Sequence, residues 1–70
     1  MTTYYNPPSE CNLCHSIITD EFSDAALPFR RNIWANVCPD CSSSEGVQYG
    51  TGRGQRYQLK DDGLFHKVEG

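Results

Sequence analysis

Apolar residues come in short blocks broken by polar pairs. Ile17, Ile18, Phe22 and Ala25-Ala26-Leu27 are separated by Asp20-Glu21 and Ser23-Asp24, which predicts a hairpin of two short strands rather than a helix. Pro28 ends that pattern. Residues 33–37, Ile-Trp-Ala-Asn-Val, read as a short buried strand. Pro39 and Asp40 then lead into three serines, Glu45 and Gly46, and proline at a first helical position with glycine at the end predicts one or two helical turns. Glycines alternate through Gly50-Thr-Gly-Arg-Gly54, a composition expected of a loop. Residues 55–60 and 64–68 read as strands joined across Asp61-Asp62-Gly63, because Asp-Gly is a strong hairpin turn signal. Residues 1–10, with Pro7-Pro8, form an extended lead whose Tyr4 and Tyr5 are expected to pack back on the domain.

Seventy residues with 37% apolar content make one small domain with a scant core. Ordering such a chain costs roughly 1.5 kcal/mol per residue, and apolar burial at this size only about balances that. Nearly every large side chain is therefore expected inside, including Phe22, Phe29, Trp34, Tyr57 and Phe65. A further source of stability is required.

Four cysteines supply the candidate, as Cys11-Asn-Leu-Cys14 and Cys38-Pro-Asp-Cys41. A Cys-x-x-Cys turn sets two thiolates on one side of a tight loop, and two such turns complete a tetrahedron around one ion. The 23 residues between the pairs leave room for a hairpin. One structural Zn²⁺ on Cys11, Cys14, Cys38 and Cys41 is the expected cofactor, since four thiolates suit zinc and leave no open position. Two disulfides are the alternative, disfavoured in a reducing compartment. The opening MTTYYNPPSEC has neither a basic start nor an apolar run, which reads as a cytosolic chain without a targeting peptide, and no apolar stretch approaches the ~20 residues of a membrane span. Iron is the competing ion: Trp34 ahead of the second pair resembles rubredoxin, but His15 and Ser42 stand where rubredoxins carry glycine. With the shell filled by sulfur, His15 and His66 are not assigned to the metal.

Residues 11–70 also carry a family resemblance. CNLC, ITDEFSDA, IWANVCPDC, GVQYGTGRGQRY and the terminal DGLFHKVEG are similar to a group of small bacteriophage zinc-binding proteins with four cysteine ligands and a GTGRGQ-Tyr segment. Arg31-Asn32-Ile33 and Ser42-Ser43-Ser44 depart from that pattern, in which glycine and proline often precede the tryptophan and a basic or histidine-containing helix follows the second pair. The resemblance implies a phage accessory protein of the bacterial host cytoplasm or the virion and carries no activity with it. The order of elements resembles a treble clef, a metal-stabilised α+β fold of knuckle, hairpin, and second knuckle opening a helix; a zinc ribbon is the alternative if the residues after Cys41 form a strand. The organisation expected is a lead over 1–10, a four-cysteine zinc module over 11–49, a Gly-rich loop over 50–54 and a C-terminal hairpin over 55–70.

Charge is uneven. The formal total is −3, divided into −4 over residues 1–45 and +1 over residues 46–70. Four thiolates and one divalent ion move the total to −5, so a general nucleic-acid coat is excluded. Within Gly50 to Lys60, however, Arg53, Arg56 and Lys60 are candidate phosphate contacts and Tyr57 a candidate base-stacking residue, with a plain flexible linker as the competing reading. A host or phage protein is the other candidate partner, met for instance by the acidic segment Asp20, Glu21 and Asp24. No nucleophile beyond the four cysteines, no carboxylate pair and no open metal position stand out, so neither an enzymatic reaction nor a small-molecule substrate is expected.

Overall fold

A computed structural model describes residues 3–4 and 8–70 of the chain. Its elements are strands β1 (Thr3–Tyr4), β2 (Glu21–Leu27) and β3 (Ile33–Val37), helix α1 (Pro39–Ser44), and strands β4 (Gly54–Leu59) and β5 (Phe65–Glu69). All strand pairings are antiparallel, in the order β1-β5-β4-β2-β3. The architecture is thus a small α+β unit. Tyr5 and Pro7, and the side chain of Tyr4, lie outside the described residues.

The hairpin expected between residues 17 and 27 is not formed. Residues 21–27 make one strand, and its hairpin partner is β3, with Leu27 opposite Ile33 and Ser23 opposite Val37. The reversal between them is a 3-10 turn over Pro28–Arg30 followed by Arg31 and Asn32 at φ 57° and 58°. Positive φ at two successive residues turns the chain sharply enough to bring Asn32 N–H to Leu27 O at 3.0 Å. Pro28 thus ends β2 as expected, but by reversing the chain toward a new partner.

Strand β2 is the centre of the sheet and buries both faces, which explains why its sequence does not alternate cleanly. By strand parity, Phe22, Asp24 and Ala26 face one side, while Ser23, Ala25 and Leu27 face the other. Phe22 stacks on Tyr57 of β4 at 5.1 Å and tilts against Phe65 of β5 at 5.3 Å, with Ile18 packed on the cluster. On the opposite side Leu27 and Val37 pack with Cys11 and Cys38, joined by Leu13, Ala35, Cys41 and Val47. One sheet therefore separates two small cores, one aromatic and one built on cysteine.

Phe22, Tyr57 and Phe65 are buried as expected, but Phe29 and Trp34 are not: they are 76% and 49% exposed. Phe29 sits on the turn at the end of the sheet. Trp34 lies on edge strand β3 opposite Ala26, a side chain too small to cover it. The strand expected to be buried is thus buried at Val37 and exposed at Ile33 and Trp34.

The Gly-rich segment is a tight turn leading directly into β4, and β4 pairs with β2, so residues 55–70 share one sheet with the cysteine-bearing half. Its last glycine is not loop material. Gly54 is buried opposite Ala25, and a Cβ there would stand 2.6 Å from Ala25 Cβ and 2.9 Å from Gln48 O. The absent side chain lets the turn close against the central strand. Gly54→Ala is expected to destabilise the fold by about 1–3 kcal/mol through overpacking, and Ala25→Gly in the same chain should recover part of the loss; denaturant titration of the four-member cycle measures both.

Candidate metal centre

Each cysteine pair is shaped by its own local geometry. At the first, Cys11 N–H donates to Ser16 O at 2.9 Å and His15 N–H to Cys11 O at 3.0 Å, folding residues 11–16 into a knuckle. His15 takes φ 64°, the left-handed conformation that glycine adopts without cost. The residue that departs from the rubredoxin pattern therefore still makes the turn. Leu13 N–H points at Cys11 Sγ, 3.4 Å away.

At the second pair, Cys38 is the N-cap of α1: its Sγ accepts from Cys41 N–H at 3.5 Å, and Pro39 occupies the first turn, where no N–H is needed. Triple serine is a poor helix interior, so the ends carry this helix. At its C-terminus Gly46, at φ 68°, donates to Ser43 O and Val47 donates to Ser42 O, a Schellman closure that also drops Val47 onto the cysteine core.

These turns bring all four sulfurs within 4.8 Å of one another, and Cys14 Sγ lies 3.7 Å from Cys38 Sγ. A tetrahedral ion with sulfur at about 2.3 Å has ligand–ligand edges of about 3.8 Å, so the spacing fits one shared ion. All four cysteines are free thiols, and the sulfurs converge on one point rather than in two bonded pairs. Cys11 and Cys38 are buried, Cys41 is half-buried and Cys14 faces solvent. His15 instead lies 3.4 Å from Glu10, and His66 2.7 Å from Asp62 on the far hairpin.

The electrostatics of the cluster call for a cation. Burial raises the Cys11 thiol, but N–H donors from Cys14, Cys38 and Leu13 outweigh it and bring the group down to about 6. Ser16, whose Oγ stands 3.1 Å away, lowers Cys14. Burial then raises Cys38, and burial with hydrogen bonds to the other three thiols pushes Cys41 far up. The first thiolates form readily and the last is opposed by those already present, which is the repulsion a divalent ion removes.

The tail residues expected to touch nucleic acid do not converge. Tyr57 is 3% exposed in the Phe22 stack, so it offers no face to a base. Arg56 lies 3.4 Å from Glu21 and 3.0 Å from Glu69, which occupy its guanidinium. Lys60 donates to Gln58. Arg53 donates to Gln48 and lines an open cleft, of about 420 Å³, with Trp34, Ala26, Pro28, Asn32, Gln48 and Gly52, whereas Lys60 lines a separate cleft with Asp61, Asp62 and His66. Sequence reasoning placed Trp34 in the core and so missed it beside Arg53; the signal was the edge position of β3, which only the strand order reveals. Among the described residues, no helix is long and apolar enough to cross a membrane. Comparisons with protein-family models, curated proteins and solved structures found no match.

Two outcomes test the centre. Cys38→Ser removes one sulfur while leaving a hydroxyl that still caps α1, and a strong chelator removes any bound ion; either should collapse the dispersed amide spectrum, since structural zinc contributes about 10–16 kcal/mol in finger peptides. A dispersed spectrum after verified metal removal would contradict this. His15→Gly should retain the metal and raise stability by about 1 kcal/mol, because it relieves the left-handed backbone at the knuckle, as read from the denaturation midpoint of the metal-loaded chain.

Proposed function

We propose that this chain is a zinc-stabilised, treble-clef-like finger that acts as a non-enzymatic binding module, with a protein as its partner. The knuckle at 11–16, the β2–β3 hairpin and the second pair opening α1 follow the treble-clef order, and a helix rather than a strand follows Cys41. Four sulfurs fill a zinc shell, so the ion holds the fold and leaves no position for a substrate. The resemblance to phage zinc-binding proteins with four cysteine ligands supports a phage accessory role in the host cytoplasm or the virion.

The observation that carries the binding reading is the exposure of Phe29, Ile33 and Trp34. A domain this short of apolar residues keeps three of its largest outside within one short segment, Ile33 and Trp34 on opposite faces of β3 and Phe29 beside Gly46, where burial would have stabilised it. Partner contact is thereby assigned to residues 28–34 rather than to the acidic segment, where Glu21 is already engaged by Arg56 and Gln58. Nucleic acid is the alternative ligand, with Arg53 beside Trp34 as its remaining support.

Capture on the immobilised zinc-loaded chain, from bacterial lysate with and without nuclease treatment, separates the two. The expected result is a stoichiometric protein retained after nuclease and lost with Phe29→Ser plus Trp34→Ser. Loss of all bound material on nuclease treatment would establish the nucleic-acid reading instead.

A further inference from the structure

Strand β3 forms one edge of the sheet. Asn36 on that strand has both backbone groups turned away from β2: its N–H donates to Asn12 Oδ1 and its C=O accepts from Asn12 N–H, each at 2.8 Å. Residues two apart on a strand point their backbone groups the same way. Trp34 N–H and C=O therefore face outward as well, which agrees with Ala26, its cross-strand neighbour, donating to Arg53 O on the β4 side. Among the described residues nothing meets the two outward groups of Trp34.

Sheet edges in proteins are usually blunted by lysine, proline, inward charge or a covering element. Here Asn12 covers the edge at Asn36 and stops, leaving the stretch around Trp34 open beside the exposed side chains of Ile33, Trp34 and Phe29. The charge along this stretch is mainly basic, with Asp24, on the face of Ala26 and opposite Asn36, as the neighbouring acid. Residues 28–37 contain Arg30 and Arg31 and no acid, and Arg53 lines the cleft next to Trp34. Glu45 is held by Arg30, while Arg31 is exposed at the end of the open stretch.

We propose that the edge of β3 at Ile33–Ala35 receives an extended acidic segment of a partner protein as an added strand. The segment exchanges two hydrogen bonds with Trp34, lays apolar side chains on Ile33 and Trp34, and directs carboxylates to Arg31 and Arg53; the cleft floored by Ala26 and Pro28 takes one of its side chains. This rests on the protein-binding reading and gives it a geometry. It also links partner binding to the metal centre, because Asn12, which lies between Cys11 and Leu13 of the first knuckle, is the residue that bounds the open edge.

The test uses the ¹⁵N-labelled, zinc-loaded full chain and a pool of short peptides alternating valine, isoleucine or threonine with glutamate. The expected result is binding with slowed exchange of the Trp34 amide. Affinity should fall about tenfold or more when the peptide group opposite Trp34 is N-methylated, a change that leaves the protein untouched. Trp34→Pro, which removes the outward N–H at an edge where proline is tolerated, should abolish binding with metal content unchanged. Arg31→Glu plus Arg53→Glu should weaken it and shift preference to lysine-containing peptides. No binding by any member of the pool, or binding indifferent to N-methylation and to Trp34→Pro, overturns the proposal, as does self-association of the chain that Trp34→Pro abolishes. A lysate protein that survives nuclease treatment but is still captured by Trp34→Pro would overturn the added strand while leaving the protein-binding reading intact.

Discussion

Four sulfurs drawn to one point are the constraint on which the rest of this small structure depends. Each is brought there by a different local device: N–H groups aimed at Cys11, a serine beside Cys14, the helix cap at Cys38 and the first turn of α1 at Cys41. Thiols in such proximity oppose one another's ionisation, so the arrangement is satisfied by a cation and by little else. The same residues are a large part of one of the two cores. Leu27 and Val37 have few apolar neighbours other than cysteine, and loss of the sulfur cluster would leave that side of the sheet uncovered.

The second core shows how economically the remaining apolar residues are used. Phe22, Tyr57 and Phe65 pack across three adjacent strands on the face turned away from the cysteines. The central strand thereby serves both cores, which accounts for small or polar residues at Ser23 and Ala25 where bulk would be expected. Ser23 is 2% exposed, and its hydroxyl is 2.8 Å from Tyr49 Oη, so its polar group is satisfied within the fold. Ala25 leaves the space into which Gly54 closes.

Against this economy the exposed end of the sheet stands out. The turn at Pro28–Arg30 and the first half of β3 hold Phe29, Ile33 and Trp34 in solvent, with arginines around them and unmet backbone groups between them. A charge count over the whole chain hides this, because the net balance is acidic while residues 28–37 carry Arg30 and Arg31 and no acid. The open edge borders the cysteine cluster: Asn12 of the first knuckle is hydrogen-bonded to Asn36 of β3, and Cys38 follows that strand directly.

Much of this was legible in the chain itself. Duplicated Cys-x-x-Cys spacing, proline after Cys38, glycine at position 46 and Asp-Gly at position 63 are local signals, and the knuckles, the helix and the last hairpin follow from chemistry within a few residues. Pairing partners are not local. Nothing in residues 17–27 states that 21–27 form one strand in mid-sheet rather than half of a local hairpin, because a strand buried on both faces loses the alternation that would identify it. Which aromatic is core and which is surface has the same origin. Phe22 and Trp34 are alike as residues, and only the strand order, which places one in the centre and the other on the edge, buries the first and exposes the second.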